Sequence, residues 1–156
     1  MAKERLMTTF SIREALPTDV PSILLFIREL AEFEKLSHEV MVTEEQLHQQ
    51  LFILKRSFAI MAFEGDIAIG FALYFYNFST FVGKNGLYLE DLYIQPKYRA
   101  KGYGKQMLLH LLQIAKQQGC GRMEWSVLNW NRVAIYERFG AKAMNEWTVY
   151  RMTITE

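Results

Sequence analysis

Two adjacent carboxylates and a glycine-containing loop are the features of this sequence that could do chemistry. Glu90 and Asp91 lie in the apolar run LYLEDLYI, and the loop YRAKGYGK follows soon after. A loop that opens a helix presents unpaired backbone N–H groups and the positive end of the helix dipole, which together bind anions. Glycines let the backbone approach bound oxygens, and Arg99, Lys101 and Lys105 add positive charge. The loop therefore predicts a phosphate site, and the alternative is a tight turn with solvated lysines.

Two common phosphate motifs do not fit this loop. A dinucleotide-binding GxGxxG would need a glycine where Met107 stands, and a P-loop would need Ser or Thr after Gly104-Lys105, where the chain has Gln106. The pattern that remains is Arg-x-x-Gly-x-Gly.

The carboxylates are neighbours on a predicted strand, so their side chains should point to opposite faces. Only one of them can then face a substrate cleft. The alternative for each is an ion pair with Arg or Lys inside the fold, which we expect for Asp91 rather than for Glu90.

Composition limits the classes of function. The chain has 156 residues, 51% of them hydrophobic, which predicts one globular domain over residues 1–156. The formal net charge of +1 gives no electrostatic reason to expect a nucleic-acid partner, and no segment is apolar and long enough to span a membrane. Cys120 is the only cysteine, so neither a disulfide nor a cysteine-based metal site is expected. We expect a soluble, cytoplasmic protein without a metal.

Hydrophobic periodicity and turn residues predict a mixed sheet with helices packed on it. Thr43 and Gln46 fit a capping box, Glu64-Gly65-Asp66 fits a hairpin turn, and the aromatic run that follows this turn should be a central strand. The predicted order is β-α-α-β-β-β-α-β-α-β, with strands over 9–14, 58–63, 67–78, 87–94, 122–128 and 147–154 and helices around 23–31, 43–51, 108–115 and 131–139.

The stretch LYLEDLYIQPKYRAKGYGK closely resembles the acetyl-CoA-binding motif of the GNAT superfamily of N-acetyltransferases, in which Arg/Gln-x-x-Gly-x-Gly/Ala opens a helix. The resemblance implies an α/β (α+β) fold with a mostly antiparallel sheet, acetyl-CoA as donor, a loop that holds its pyrophosphate and a strand that pairs with its pantetheine arm. Ala100 departs from the pattern, because glycine is common there and alanine suits the position only if φ is negative. The coenzyme residues that the resemblance implies are Leu92, Tyr93, Ile94, Arg99, Ala100, Lys101, Gly102, Tyr103, Gly104, Lys105 and Asn131.

Further segments, IRELAEFEK, YFYNFSTFVGK, WNRVAIYERFGA and EWTVYR, resemble one branch of that superfamily, the diamine (spermidine/spermine) acetyltransferases and their thialysine-acetylating relatives. The resemblance implies that Phe33, Glu34 and the run Ser79-Thr80-Phe81 bind the acceptor. Glu34 would hold a distant cationic group, and its alternative is a solvated glutamate at a helix end. Polyamine-specific members carry an acidic residue in place of Ser79, which favours a short diamine or a small amine that also bears a carboxylate.

The same resemblance assigns Glu90 as the base that accepts the amine's proton, directly or through water. Leu89 and Leu92 should desolvate Glu90 and raise its pKa. Tyr136 matches the tyrosine that protonates the departing thiolate, but the family spacing N-x-x-A-I-x-x-Y is two residues longer than the chain's Asn131-to-Tyr136 stretch. On a helix this deletion rotates a side chain by roughly 200°. Either Asn131 or Tyr136 therefore loses its usual position, or the loop before the helix absorbs the deletion. Both stay candidates, and Tyr136 is either the acid or a core aromatic.

The hypothesis is direct acetyl transfer from acetyl-CoA to the primary amine of a small diamine or lysine-like amino acid. One alternative is a protein or peptide amine as acceptor. The other is a non-catalytic acyl-CoA-binding module, which the deletion before Tyr136 would favour. The resemblance also implies a homodimer with the active site near the subunit boundary.

Overall fold

The computed structural model describes residues 9–131 and 134–155, apart from the side chain of Ile135. The chain divides into two compact units between Ser126 and Val127, and each unit is described by itself. Within the described ranges no helix is long and apolar enough to cross a membrane.

The first unit is built on a five-stranded sheet in the order β1-β2-β3-β4-β5. Neighbouring strands from β1 to β4 are antiparallel, and β4 and β5 are parallel. The predicted central position of β3 and the predicted hairpin between β2 and β3 are confirmed. The strands are β1 Phe10–Glu14, β2 Phe58–Glu64, β3 Ile67–Ser79, β4 Lys84–Ile94 and β5 Arg122–Trp125.

Three helices belong to this unit. The predicted capping box is confirmed, since Thr43 Oγ1 accepts a hydrogen bond from Gln46 N–H at 3.2 Å and Gln46 Oε1 accepts one from Thr43 N–H at 3.0 Å. The helices are α1 Val20–Phe33, α2 Glu44–His48, which continues as a π-helical turn over Gln49–Ile53, and α3 Tyr103–Gln117. Short 3-10 turns cover Pro17–Asp19, Ser37–Glu39 and Pro96–Tyr98.

Both faces of the sheet are covered, so β4 lies between two apolar layers. On one face α1 and α2 pack in a core that includes Phe26, Met61 and Phe71. Residues of the opposite parity, such as Ile60 and Ala72, are fully buried as well, and α3 packs against β4 and β5. Of the charged residues of β4, Asp91 is partly buried in this apolar setting, where an unpaired charge is costly, whereas Lys84 and Glu90 are exposed.

The second unit contains a 3-10 turn at Asn129–Asn131 and a short helix, α4 Ala134–Arg138. The predicted strand over 147–154 is wrong, because residues 141–155 form no strand. Val149 is 82% exposed and Ile154 is 96% exposed. The alternation in WTVYRMTI suits a strand, but a strand needs a neighbour for its N–H and C=O groups, and the described chain provides none. The assignment of residues 1–156 to one domain stays a prediction.

Candidate active site

The strand β5 ends partway along the length of β4. Their parallel pairing runs from Gly86–Arg122 to Leu89–Trp125, whereas the pairing of β4 with β3 continues to Ile94. Within the first unit, the edge of β4 from residues 90 to 94 therefore has no neighbouring strand on the β5 side. Peptide groups on such an edge can pair with the amides of a ligand, as the sequence predicted for Leu92, Tyr93 and Ile94.

Glu90 directly follows the last residue of β4 that pairs with β5, and it is the extra residue of a β-bulge. Leu73 pairs with Asp91 and Tyr74 pairs with Leu89, so Glu90 has no partner residue on β3. A bulge interrupts the alternation of side chains and re-aims them. The strand is therefore not regular at Glu90, and the opposite orientation of the Glu90 and Asp91 side chains stays a prediction. Glu90 is also exposed, so the flanking leucines do not desolvate it as predicted.

Asp91 lines a cavity of about 470 Å³ between the sheet and helices α1 and α2. The other polar groups of this cavity belong to Gln46, Gln50 and Ser57, and its remaining walls are apolar. Within the described residues no Lys or Arg forms an ion pair with Asp91. The expected internal ion pair of Asp91 is therefore wrong. A partly buried carboxylate without a cation is a common signature of a binding or catalytic site.

Burial, as the largest cause, and the negative charges of Glu90 and Glu34 together raise the pKa of Asp91 to about 7. Glu34 follows the last residue of α1, and burial raises its pKa as well. Glu34 and Glu90 thus lie close enough for their negative charges to repel that of Asp91. A bound cation would relieve that repulsion.

The glycine loop joins β4 to α3 through two residues with positive φ. Ala100 has φ of 64°, so alanine occupies a position that favours glycine and is strained there. Gly102 has φ of 80° and is the N-cap of α3, with no side-chain cap. A Cβ at Gly104 would meet no atom within 4 Å. Because packing within the protein does not require this glycine, its absent side chain leaves room for a ligand at the first turn of the helix.

Arg99 links the loop to β4 and to α1. Its Nε donates a hydrogen bond to Ile94 O at 2.8 Å, and its guanidinium lies 5.0 Å from the ring centre of Phe33 and 5.5 Å from that of Tyr93. Tyr93 Oη in turn donates to Glu29 at 2.9 Å. The structure therefore brings Phe33 of the predicted acceptor site next to the predicted coenzyme loop.

The remaining side chains of the loop differ in their surroundings. Lys101 Nζ forms an ion pair with Glu64 Oε2 at 3.2 Å, and Tyr103 Oη donates to the same oxygen at 2.6 Å. Lys105 is exposed. Lys101 is thus held by a carboxylate, while Lys105 is accessible to an anionic ligand.

The run Ser79-Thr80-Phe81 lies at the turn between β3 and β4. Ser79 is buried, and its Oγ accepts a hydrogen bond from Val82 N–H at 3.2 Å. Ser79 pairs with Lys84, and the stretch of β4 from Lys84 to Glu90 spans roughly 20 Å. Within one chain this run therefore does not lie beside Glu90, and its role in acceptor binding stays a prediction.

Asn131 and Tyr136 lie in the second unit, in different elements. Asn131 ends the 3-10 turn, and Tyr136 lies in α4, where its carbonyl accepts hydrogen bonds from Phe139 N–H and Ala141 N–H. Within the predicted helical range 131–139 the structure has a helix over Ala134–Arg138, Asn131 belongs to the 3-10 turn, and residues 132 and 133 lie outside the described residues. The proposed roles of Asn131 and Tyr136 stay predictions.

Sequence reasoning missed the cavity residues Gln46, Gln50 and Ser57 and the loop partner Glu64. These residues lie far from the loop in sequence, and the patterns that contain Gln46 and Glu64 indicate a helix cap and a turn rather than a binding site. The adjacent carboxylates were the one local signal that pointed to this region.

Comparison with known proteins gives consistent results. The sequence pattern of the acetyltransferase (GNAT) family matches residues 24–141. A thialysine N-epsilon-acetyltransferase of Mus musculus is 36% identical, over 93% of this chain and 93% of its own length. An L-ornithine N5-acetyltransferase of Arabidopsis thaliana is 32% identical, over 91% of this chain and 83% of its own length.

Solved structures share the fold. An integron cassette protein of V. cholerae has a TM-score of 0.74 at 26% identity, covering 92% of each chain. A possible acetyltransferase of Clostridium difficile has a TM-score of 0.76 at 19% identity, covering 94% of this chain and 99% of its own, which is a likeness of fold alone.

The strained φ of Ala100 gives a prediction about stability. Ala100→Gly should raise the free energy of unfolding by about 0.5–1 kcal/mol, because the relief of left-handed strain exceeds the entropy cost of glycine. Urea unfolding measures the change. Ala31→Gly, in the interior of α1, is the matched control and should lower stability. Destabilisation of similar size in both variants would contradict the strain.

The raised pKa of Asp91 gives a prediction about pH. In the unfolded chain the pKa of aspartate is about 4, whereas in the folded protein the pKa of Asp91 is raised to about 7. Between these values the folded protein keeps a proton that the unfolded chain has lost, so this group makes stability fall as pH rises. Asp91→Asn should therefore match the wild type near pH 4 and exceed its urea midpoint at pH 8.

Asp66→Asn removes an exposed carboxylate and is the control for this pH series. The difference in urea midpoint between Asp66→Asn and the wild type should be the same at pH 4 and at pH 8. An equally flat difference for Asp91→Asn would show that Asp91 titrates normally.

Proposed function

Because the chain belongs to the GNAT family and is an N-acetyltransferase, we propose that it transfers the acetyl group of acetyl-CoA directly to the primary amine of a small diamine or lysine-like amino acid. The observation that carries the proposal is the position of Glu90, directly after the last residue of β4 that pairs with β5, on the strand that leads through the glycine loop to the N-terminus of α3. The alternatives are a protein amine as acceptor and an acyl-CoA-binding module without catalysis.

The residues present fit the coenzyme. The N–H groups of Tyr103, Gly104 and Lys105 begin α3 and have no partner within the helix, and the space at Gly104 lets an oxygen approach them. The open edge of β4 from residues 90 to 94 suits the two amides of a pantetheine arm. When bound, acetyl-CoA supplies an activated acetyl thioester.

The acceptor is an ammonium ion at neutral pH, and the carboxylates attract it. Glu90 and Asp91 are adjacent, and Glu34 is close enough for its charge to act on Asp91. A substrate with a second cationic group can contact two of these carboxylates at once. Relatives named for thialysine and ornithine support an acceptor of this type.

The chain's own residues handle the protons. We assign to Glu90 the removal of a proton from the ammonium, directly or through water, because this exposed carboxylate lies where the pairing of β4 with β5 ends. Asp91 is the second candidate, since a pKa of about 7 suits a base near neutral pH. The amine nitrogen then bonds to the acetyl carbon and the carbon–sulfur bond breaks. Tyr136 Oη is proposed to give its proton to sulfur, and the second proton that the nitrogen loses restores the tyrosine hydroxyl.

We extend the proposal to a homodimer in the cytoplasm. Phe81 is 86% exposed and Tyr150 is 92% exposed, and large apolar side chains in such positions are often covered by another protein. A partner subunit could bring its Ser79-Thr80-Phe81 turn to a site that the chain's own turn does not reach. The free thiol of Cys120 is compatible with a reducing compartment.

Turnover measurements with a panel of acceptors test this proposal. The panel contains L-ornithine, L-lysine, thialysine, 1,3-diaminopropane, spermidine and a peptide with a free N-terminus, and the readout is release of CoA. We expect turnover with short diamines or lysine-like amino acids. Glu90→Gln should lower kcat by about 100-fold or more and leave the Kd for CoA within about twofold.

Glu45→Gln, an exposed carboxylate on α2, is the control and should keep full activity. If Asp91→Asn loses kcat while Glu90→Gln keeps it, Asp91 is the base. No turnover with any acceptor, in protein that binds CoA, would favour the non-catalytic module.

A further inference from the structure

Tyr103, the first residue of α3, contacts two residues of β1 and β2, which lie on the other side of the sheet's central strand from β4 and β5. Its ring stacks on Phe10 of β1, with ring centres 4.2 Å apart and planes 12° apart. Its hydroxyl donates to Glu64 Oε2 at 2.6 Å. Phe10 and Glu64 are themselves paired across β1 and β2, so the first turn of α3 is attached to a rigid edge of the sheet.

Glu64 is well placed to hold this position. It is the last residue of β2, only 12% of its side chain is exposed, and it also accepts the ion pair from Lys101 at 3.2 Å. The hydrogen bond from Tyr103 and the contact with Lys101 lower the pKa of Glu64. The carboxylate therefore stays charged at neutral pH and is a strong acceptor for both groups.

The loop needs such an anchor because its backbone does not fix itself. Gly102 caps α3 without a side-chain hydrogen bond, and the loop has two residues of positive φ, Ala100 and Gly102. Arg99 ties the beginning of the loop to Ile94. At the end of the loop, Lys101 and Tyr103 both contact Glu64 of β2. Among the described residues, these are the polar contacts that attach this end of the loop to the sheet.

We propose that Glu64 is a positioning residue for the coenzyme: by holding Tyr103, it fixes the direction in which the first N–H groups of α3 point and so forms the diphosphate site. This inference rests on the proposed function. Glu64 does not touch the coenzyme. The negative charge of Glu64 near an anion site is in itself unfavourable for coenzyme binding. We therefore expect the hydrogen bond from Tyr103 to Glu64, and not the charge of Glu64, to support binding.

Three variants separate the hydrogen bond from the charge. Tyr103→Phe removes the hydroxyl and keeps the stacked ring, and Glu64→Ala removes the acceptor. Glu64→Gln removes the charge but keeps an oxygen that can accept from Tyr103. Asp66→Ala is the matched control, because it removes an exposed carboxylate from the same β2–β3 turn.

Calorimetry with CoA and steady-state kinetics with two donors provide the readouts. We expect Tyr103→Phe and Glu64→Ala to raise the Kd for CoA and the KM for acetyl-CoA by about fivefold to tenfold, with kcat at saturation within about twofold. With S-acetylpantetheine, a donor that lacks the diphosphate, kcat/KM should stay within about twofold. Glu64→Gln and Asp66→Ala should bind CoA like the wild type.

Several results would overturn the inference. Wild-type CoA affinity in both Tyr103→Phe and Glu64→Ala would show that the contact does not shape the site. An equal loss with S-acetylpantetheine would show general damage to the fold, and a loss in Glu64→Gln as large as in Glu64→Ala would show that charge is what matters. In each case the wild type still binds CoA and turns over. A wild type that does not bind CoA would instead refute the proposed function.

Discussion

The first turn of α3 offers backbone N–H groups that the helix itself cannot pair, and every role proposed for this chain depends on where those groups point. Gly102 begins the helix without a side-chain cap, so no residue of the loop competes with a ligand by capping. The helix dipole adds a partial positive charge at the same place. An anion bound there is fixed in position relative to β4, and the rest of a long ligand must follow the edge of that strand.

The edge of β4 leads from this anion site to the carboxylates. Pairing with β5 ends at Leu89 and pairing with β3 continues to Ile94, which leaves one side of the strand open over the length of a pantetheine arm. Glu90 interrupts the strand at the far end of that opening. The distance between the helix N-terminus and the bulge is therefore set by the sheet and not by flexible loops, as positioning of two substrates requires.

Several elements of the site reduce the stability of the protein. Ala100 adopts a left-handed conformation, and Asp91 is a partly buried carboxylate with a pKa of about 7 and two acidic neighbours. Neither arrangement is favourable for folding alone. Both lie beside the proposed ligand positions, which is where proteins commonly retain strain and unpaired charge.

The sequence predicts the elements of the first unit well, because periodicity and capping are local properties. The capping box at Thr43 and the helix that follows the glycine loop are examples. It does not predict the bulge at Glu90, since a bulge is a property of the register between two strands. It also cannot show that Asp91 lacks a cationic partner or that Glu64 holds Tyr103, because those facts depend on residues that are distant in the chain. The strand predicted over 147–154 fails for the same reason, since alternation describes one strand and not its neighbour.

The central claim is that the N–H groups at the start of α3 bind the diphosphate of the coenzyme. Titration of ¹⁵N-labelled protein with CoA, followed through amide chemical shifts, tests it most directly. The account predicts saturable shifts for Gly102, Tyr103, Gly104 and Lys105 that exceed that of Gly119, a glycine in another turn. Binding of CoA with the signals of α3 unmoved and a different surface perturbed would contradict it.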